Sequence, residues 1–164
     1  MRSACVRAGI LLLAVAALAA CPSAYQRTFD QETQKLETHR QAQEAAEAAA
    51  HAEAKRYAAV IYFDPGSAVV QEDGARELGW FADKIKPYPE AMLEVQGFAD
   101  STGSDALNEN LSKARAEAVA AQLMGLGIER ARLVLQGFGS NYAAASNQDA
   151  KGRRNNRRVE VTVR

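Results

Sequence analysis

The stretch Leu93-Glu94-Val95-Gln96-Gly97-Phe98-Ala99-Asp100-Ser101-Thr102-Gly103, running on through Ser104-Asp105-Ala106-Leu107-Asn108-Glu109-Asn110-Leu111-Ser112-Lys113-Ala114-Arg115-Ala116, decides what fold the chain can adopt. Leu93, Val95 and Gly97 alternate with Glu94, Gln96 and Phe98, the two-residue period of a strand with one face on a core. Ala99 to Asp105 is polar and turn-rich. From about Ala106 to Met124 the period lengthens to that of a helix, with Leu107, Leu111, Ala114, Ala118 and Ala121 on one stripe. Gly125 and Gly127 end it.

The same two periods recur on either side. Upstream, Val60-Ile61-Tyr62-Phe63 is a short β-rich run closed by a turn at Asp64-Pro65-Gly66. Helical spacing follows at Gly74, Leu78, Phe81 and Ile85, stopped by Pro87 and Pro89. Downstream, Leu133 and Leu135 mark a third strand, closed by Gly137-Phe138-Gly139. Val159, Val161 and Val163 alternate with Arg158, Glu160 and Thr162 in the last. The order β-α-β-α-β-β predicts an α+β fold: a two-layer sandwich with helices on one face of a mixed sheet. The folded domain is expected over residues 58–164, long enough to bury a core without disulfide staples.

The N-terminal third reads differently. Arg2 and Arg7 precede thirteen apolar or small residues, Ala8 to Ala20. As a helix this run would cover about 20 Å, short of the roughly 30 Å hydrocarbon core of a bilayer. A signal peptide over residues 1–20 is the better fit. Its end, Leu18-Ala19-Ala20-Cys21, resembles a bacterial lipobox, which implies cleavage before Cys21 and acylation of both its thiol and its amine (palmitate among the chains). A plain secretory signal with a chance cysteine is the alternative. Several acyl chains give stable anchoring at about 0.8 kcal/mol per buried CH₂. Pro22, standing where some lipoproteins carry Asp, resembles the pattern routed to the outer membrane.

Residues 21–57 are expected to be the lipidated end followed by a helical spacer. Thr28-Phe29-Asp30-Gln31 has the spacing of a capping box. Glu32 to Tyr57 is rich in Ala, Glu, Gln and Lys, without Gly or Pro. Leu36 is nearly its only large aliphatic residue, so the helix is polar on almost every side and suits a bridge between two attachments. A weak alanine-based coiled coil is the alternative.

Charge and composition exclude several functions. Twenty basic side chains balance twenty acidic ones, which leaves no global field for nucleic acid. The basic run Arg153 to Arg158 fits a solvated loop. Cys5 and Cys21 are the only cysteines, and His39 and His51, in the spacer, are too far apart for one metal. No cofactor is called for. Asp64 and Asp100 could form an acid/base pair of a hydrolase in principle, but the domain has no His or Cys to build a nucleophile set.

Polar side chains gather where strands end, the usual place for binding loops. Asp64 follows the first strand and Asp100 the second, while Arg115 lies two turns inside the second helix. Asn108, Leu111 and Arg115 fall at i, i+3 and i+7 and share a face. An acid beside a guanidinium suits a ligand with an ammonium and a carboxylate on one carbon; alone, such a pair is more often a structural ion pair.

The residues 97–103 and 107–116 resemble the G-x-x-D-x-x-G…N-x-x-L-S-x-x-R-A signature of OmpA-like peptidoglycan-binding domains. Gly137-Phe138-Gly139, Ser146-Asn147 and Gly152-Arg153-Arg154-Asn155-Asn156-Arg157-Arg158-Val159-Glu160 resemble its closing G-x-G…N…G-R-x-x-N-R-R-V-E. The resemblance implies non-catalytic binding of the diaminopimelate in the stem peptide of peptidoglycan, tethering outer membrane to cell wall. Asp100 and Arg115 would hold its amino and carboxylate groups, with Asp64, Thr102, Asn108, Leu111 and Arg157 lining the pocket. Arg153 and Arg158 would brace the terminal strand and nearby loops. Phe98-Ala99 and Tyr142-Ala143 depart from the family pattern. An envelope assembly module whose main ligand is another envelope protein is the alternative function.

Overall fold

A computed structural model describes residues 24–164. The expected signal segment and the expected lipobox at Cys21 lie outside the described residues. The chain divides into two compact units, one ending at Glu47 and the other running from Ala48 to Arg164.

Helix α1 is Ala24–Ala54, and every residue of it before Ala54 is exposed. The capping box does not form at Thr28. The helix already includes Ala24, so the Thr28 hydroxyl meets a carbonyl with no helical N–H left to cap and donates to Ala24 O at 2.9 Å. Thr33 and Thr38 donate to the carbonyls four residues back in the same way. Among the described residues no helix is long and apolar enough to cross a membrane.

The second unit is the expected α+β sandwich. Strand β1 (Ala58–Tyr62) leads to helix α2 (Glu72–Ile85), β2 (Leu93–Gly97), α3 (Asp105–Gly125) and, after one 3-10 turn, β3 (Leu133–Gly137). A short helix α4 (Ala150–Asn156) precedes β4 (Arg158–Val163). The sheet order is β1-β4-β2-β3, with β4 antiparallel to both neighbours and β2 parallel to β3. Ala59, Ile61, Leu93, Val95, Val159 and Val161 point from the strands into the core. Leu78, Phe81 and Ile85 meet them from α2, and Val119 and Leu123 from α3. Fully burying an aliphatic or aromatic side chain of this size stabilises by about 1.5–3 kcal/mol.

Two features differ from the sequence expectation. The buried stripe of α3 is Asn108, Ser112, Arg115, Ala116, Val119, Ala120 and Leu123, one residue out of phase with the predicted one. Leu107 is 65% exposed. The phase is hidden because the first two turns bury polar side chains. The basic run near the C-terminus is not a loop: it is helical through Asn156 and enters β4 at Arg158, and Asp149 caps α4 by accepting from Gly152 N at 2.7 Å.

What seats α3 is close backbone approach. A Cβ on Gly97 would lie 2.0 Å from the Ser112 carbonyl oxygen, and one on Gly137 would meet Lys113 N at 2.7 Å. Only glycine at the ends of β2 and β3 lets the helix lie across both strands. The buried Ser112 hydroxyl accepts from Gly139 N at 2.9 Å and donates to Glu109 O at 2.8 Å, tying the helix to the loop after β3.

Candidate functional site

At the C-terminal ends of β1 and β2, Pro65, Gly66, Asp100, Thr102, Gly103, Leu107, Asn108, Leu111, Arg115 and Arg157 line one cleft of about 360 Å³. Asp100 sits just past β2. Its Oδ1 accepts from Thr102 N at 2.9 Å, a turn closed by the side chain itself. Its Oδ2 accepts from Arg157 Nη1 at 2.9 Å. Burial by itself raises the Asp100 pKa, but the hydrogen bonds from Arg157 and Thr102 outweigh it and hold the carboxyl below its ordinary range. Lone-pair positions of the carboxylate beyond those taken by Arg157 and Thr102 remain for another donor.

Arg115 lies deeper and is fully buried. Nε donates to Ser67 O at 2.8 Å, Nη1 to Phe98 O at 2.9 Å and Nη2 to Asp64 O at 3.1 Å. The Phe63 ring lies 5.3 Å from the guanidinium carbon. These bonds tie the loops after β1 and β2 to α3. Desolvation lowers the Arg115 pKa to about 10, the charge of Asp100 works against that shift, and Arg157 adds to it. The group therefore stays cationic at neutral pH. Three of its five N–H groups are engaged, which leaves one on each terminal nitrogen.

Six of the seven residues singled out in the sequence thus share one cleft: Asp100, Thr102, Asn108, Leu111, Arg115 and Arg157. The seventh, Asp64, contributes its carbonyl to Arg115, while its carboxylate accepts from Gln71 Nε2 at 3.2 Å and lines a neighbouring groove. The expected juxtaposition of Asp100 with Arg115 is modified too, because the hydrogen-bonded partner of Asp100 is Arg157. Fifty-seven residues separate that pair, so no local spacing reveals it. Leu107 enters the cleft wall unforeseen, for the same reason that the α3 stripe was misphased.

Asn156 is the other residue that sequence spacing left without a role. It is fully buried. Its amide accepts from Ala145 N at 2.9 Å and donates to Ala145 O at 2.8 Å and to Asn147 Oδ1 at 2.9 Å. Asn147 Oδ1 in turn accepts from Ser101 N at 3.2 Å. This chain of bonds holds the end of α4, and hence Arg157, against the Asp100 loop. Arg153 bonds the carbonyls of Asn147 and Gln148, and Arg158 bonds Glu160 and lies 4.0 Å from the Phe98 ring centroid. Among the described residues no group of His, Cys, Asp and Glu could hold a metal ion.

Residues 62–157 match the model of the OmpA family. The chain belongs to that family. Its OmpA domain is 41% identical over 103 residues to the probable lipoprotein YiaD of Escherichia coli, a match covering 63% of this chain and 47% of that protein. It is 36% identical over 104 residues to the peptidoglycan-binding protein ArfA of Mycobacterium tuberculosis, covering 63% of this chain and 32% of ArfA. The chain therefore spans less than half the length of either relative. Among solved structures, the peptidoglycan-associated lipoprotein from Burkholderia pseudomallei superposes with a TM-score of 0.62 at 29% identity, covering 65% of this chain and 90% of that one.

Proposed function

We propose that the OmpA domain binds peptidoglycan without cleaving it, taking the diaminopimelate of the stem peptide into the Asp100–Arg115 cleft, and that lipid on Cys21 holds the other end of the chain in the outer membrane. The carrying observation is one carboxylate and two guanidinium groups lining a single cleft, in a domain 36% identical to a protein named for peptidoglycan binding. The ligand ammonium takes the open lone pairs of Asp100. Its carboxylate takes N–H groups of Arg157 and, deeper, of Arg115; Leu107 and Leu111 cover the methylene chain. Arg115 lines the cleft and keeps one N–H on each terminal nitrogen for that carboxylate.

Hydrolysis is the poorer fit. Arg157 keeps Asp100 ionised, which suits a hydrogen-bond acceptor and not a proton donor. The Asp64 carboxylate lies in the other groove. Helix α1, about 46 Å long for its 31 residues, serves as the spacer between lipid and domain.

The test is sedimentation of the unlipidated protein with purified peptidoglycan. Asp100→Asn is expected to lower retention about tenfold or more, as loss of a charge-assisted bond of roughly 1.4 kcal/mol or greater predicts, while circular dichroism stays native. Unchanged retention rejects the cleft as the binding site.

A further inference from the structure

Beside the cleft lies a larger groove of about 580 Å³, lined by Val60, Tyr62, Phe63 and Asp64 on one side and Gln71, Asp73, Gly74 and Glu77 on the other, with Arg154 and Arg157 at its end. One wall is the edge of the sheet, since β1 pairs with β4 alone. The register shows which backbone groups are spare. Phe63 N–H donates to Arg157 O at 2.9 Å. Hydrogen-bonded pairs alternate in an antiparallel ladder, so Ile61 opposite Val159 and Ala59 opposite Val161 spend their N–H and C=O groups on β4. Val60 and Tyr62 direct theirs away from the sheet. The two residues are 39% and 48% exposed. The edge has neither proline nor lysine to block another strand.

The charges of the groove choose among visitors. Arg157 is neutralised by Asp100, and Asp73 by Arg76. Among the described residues Asp64 and Glu77 have no ion-pair partner; Arg154 is the one opposing charge in the groove that also lacks one. The balance is negative.

We propose that β1 accepts an extended segment of another protein as an added edge strand, with a lysine or arginine side chain of that segment seated between Asp64 and Glu77. Backbone pairing with Val60 and Tyr62 supplies affinity, and the two carboxylates supply selectivity for a cationic strand. Pairing with a second copy of the same five-residue strand would bury too little surface for a stable dimer, which needs roughly 800 Å² per partner. The groove adjoins the cleft, with Arg157 on the wall of both, but Val60, Tyr62 and Glu77, which the added strand would meet, line the groove alone.

The experiment is amide-resolved NMR of the unlipidated chain titrated with the blocked pentapeptide TVKVT, with TVEVT as the charge-reversed control. TVKVT is expected to shift the Val60 and Tyr62 amides saturably and to slow their hydrogen exchange. TVEVT should bind about tenfold more weakly, and Glu77→Lys should erase that preference. Val60→Pro removes an outward N–H without touching the ladder and should abolish binding while Val95 and Val161 keep their native shifts. Equal affinity for the two peptides, shifts confined to the cleft around Thr102 and Leu107, absence of shifts, or β1 shifts that follow protein concentration without peptide would each overturn the proposal.

Discussion

Replacing Arg115 by alanine removes the donor shared by the carbonyls of Ser67, Phe98 and Asp64, so its cost is expected to reach stability as well as binding. Leaving a buried carbonyl without its donor costs about 1–3 kcal/mol, measurable as a lower urea midpoint with an unchanged slope. Arg157 is the cleaner probe of the ligand site, being bonded to one carboxylate and one carbonyl. Asp100 adds a pH dependence whose sign follows from its lowered pKa. The stabilisation is complete above the unfolded value of about 3.9 and is lost as pH falls through the lower folded value. Urea midpoints followed downward from about pH 5 should therefore fall more steeply in the wild type than in Asp100→Asn. Parallel curves would show that the Asp100–Arg157 pair contributes nothing. Asp100 and Arg115 were legible in the sequence because motif spacing marks them. Arg157 was named as a lining residue, yet its pairing with Asp100 was not foreseen, because only the folded sheet brings β4 beside the end of β2.

The strands were legible at the scale of elements because alternation survives wherever one face is buried, as in Leu93, Val95, Val159 and Val161. Helix α3 was legible in extent but not in phase. Asn108, Ser112 and Arg115 occupy its buried face and serve loops that the helix pattern cannot see. Short α4 was missed for a related reason: seven residues with a basic surface carry little periodicity, and Asn156 secures them through contacts with Ala145 and Asn147. Two outcomes follow. Gly97→Ala would place a methyl group against the Ser112 carbonyl and should cost about 1–3 kcal/mol by overpacking, read as a lower Tm. Asn156→Ala should raise the hydrogen-exchange rates of the Ala145 and Ser101 amides while those of β2 stay protected. Uniform exchange across the domain would contradict its placement as the residue that holds the α4 end to the Asp100 loop.

The whole molecule joins an exposed helix with no apolar face to a domain with one core, and the compact units divide at Ala48, inside that helix, whereas composition placed the boundary at residue 58. The compact unit beginning at Ala48 predicts that a chain starting there keeps the Tm of the longer protein, since α1 buries nothing before Ala54. A loss of more than a few degrees would show that the helix contributes to the fold. The central claim is that the Asp100 cleft captures the zwitterionic end of a wall amino acid. Calorimetric titration of the unlipidated protein with meso-diaminopimelate tests it most directly. Saturable binding is predicted for the wild type, abolished by Asp100→Asn and by Arg157→Gln with each variant still folded. Equal heats from all three proteins, or none from the wild type, would contradict it.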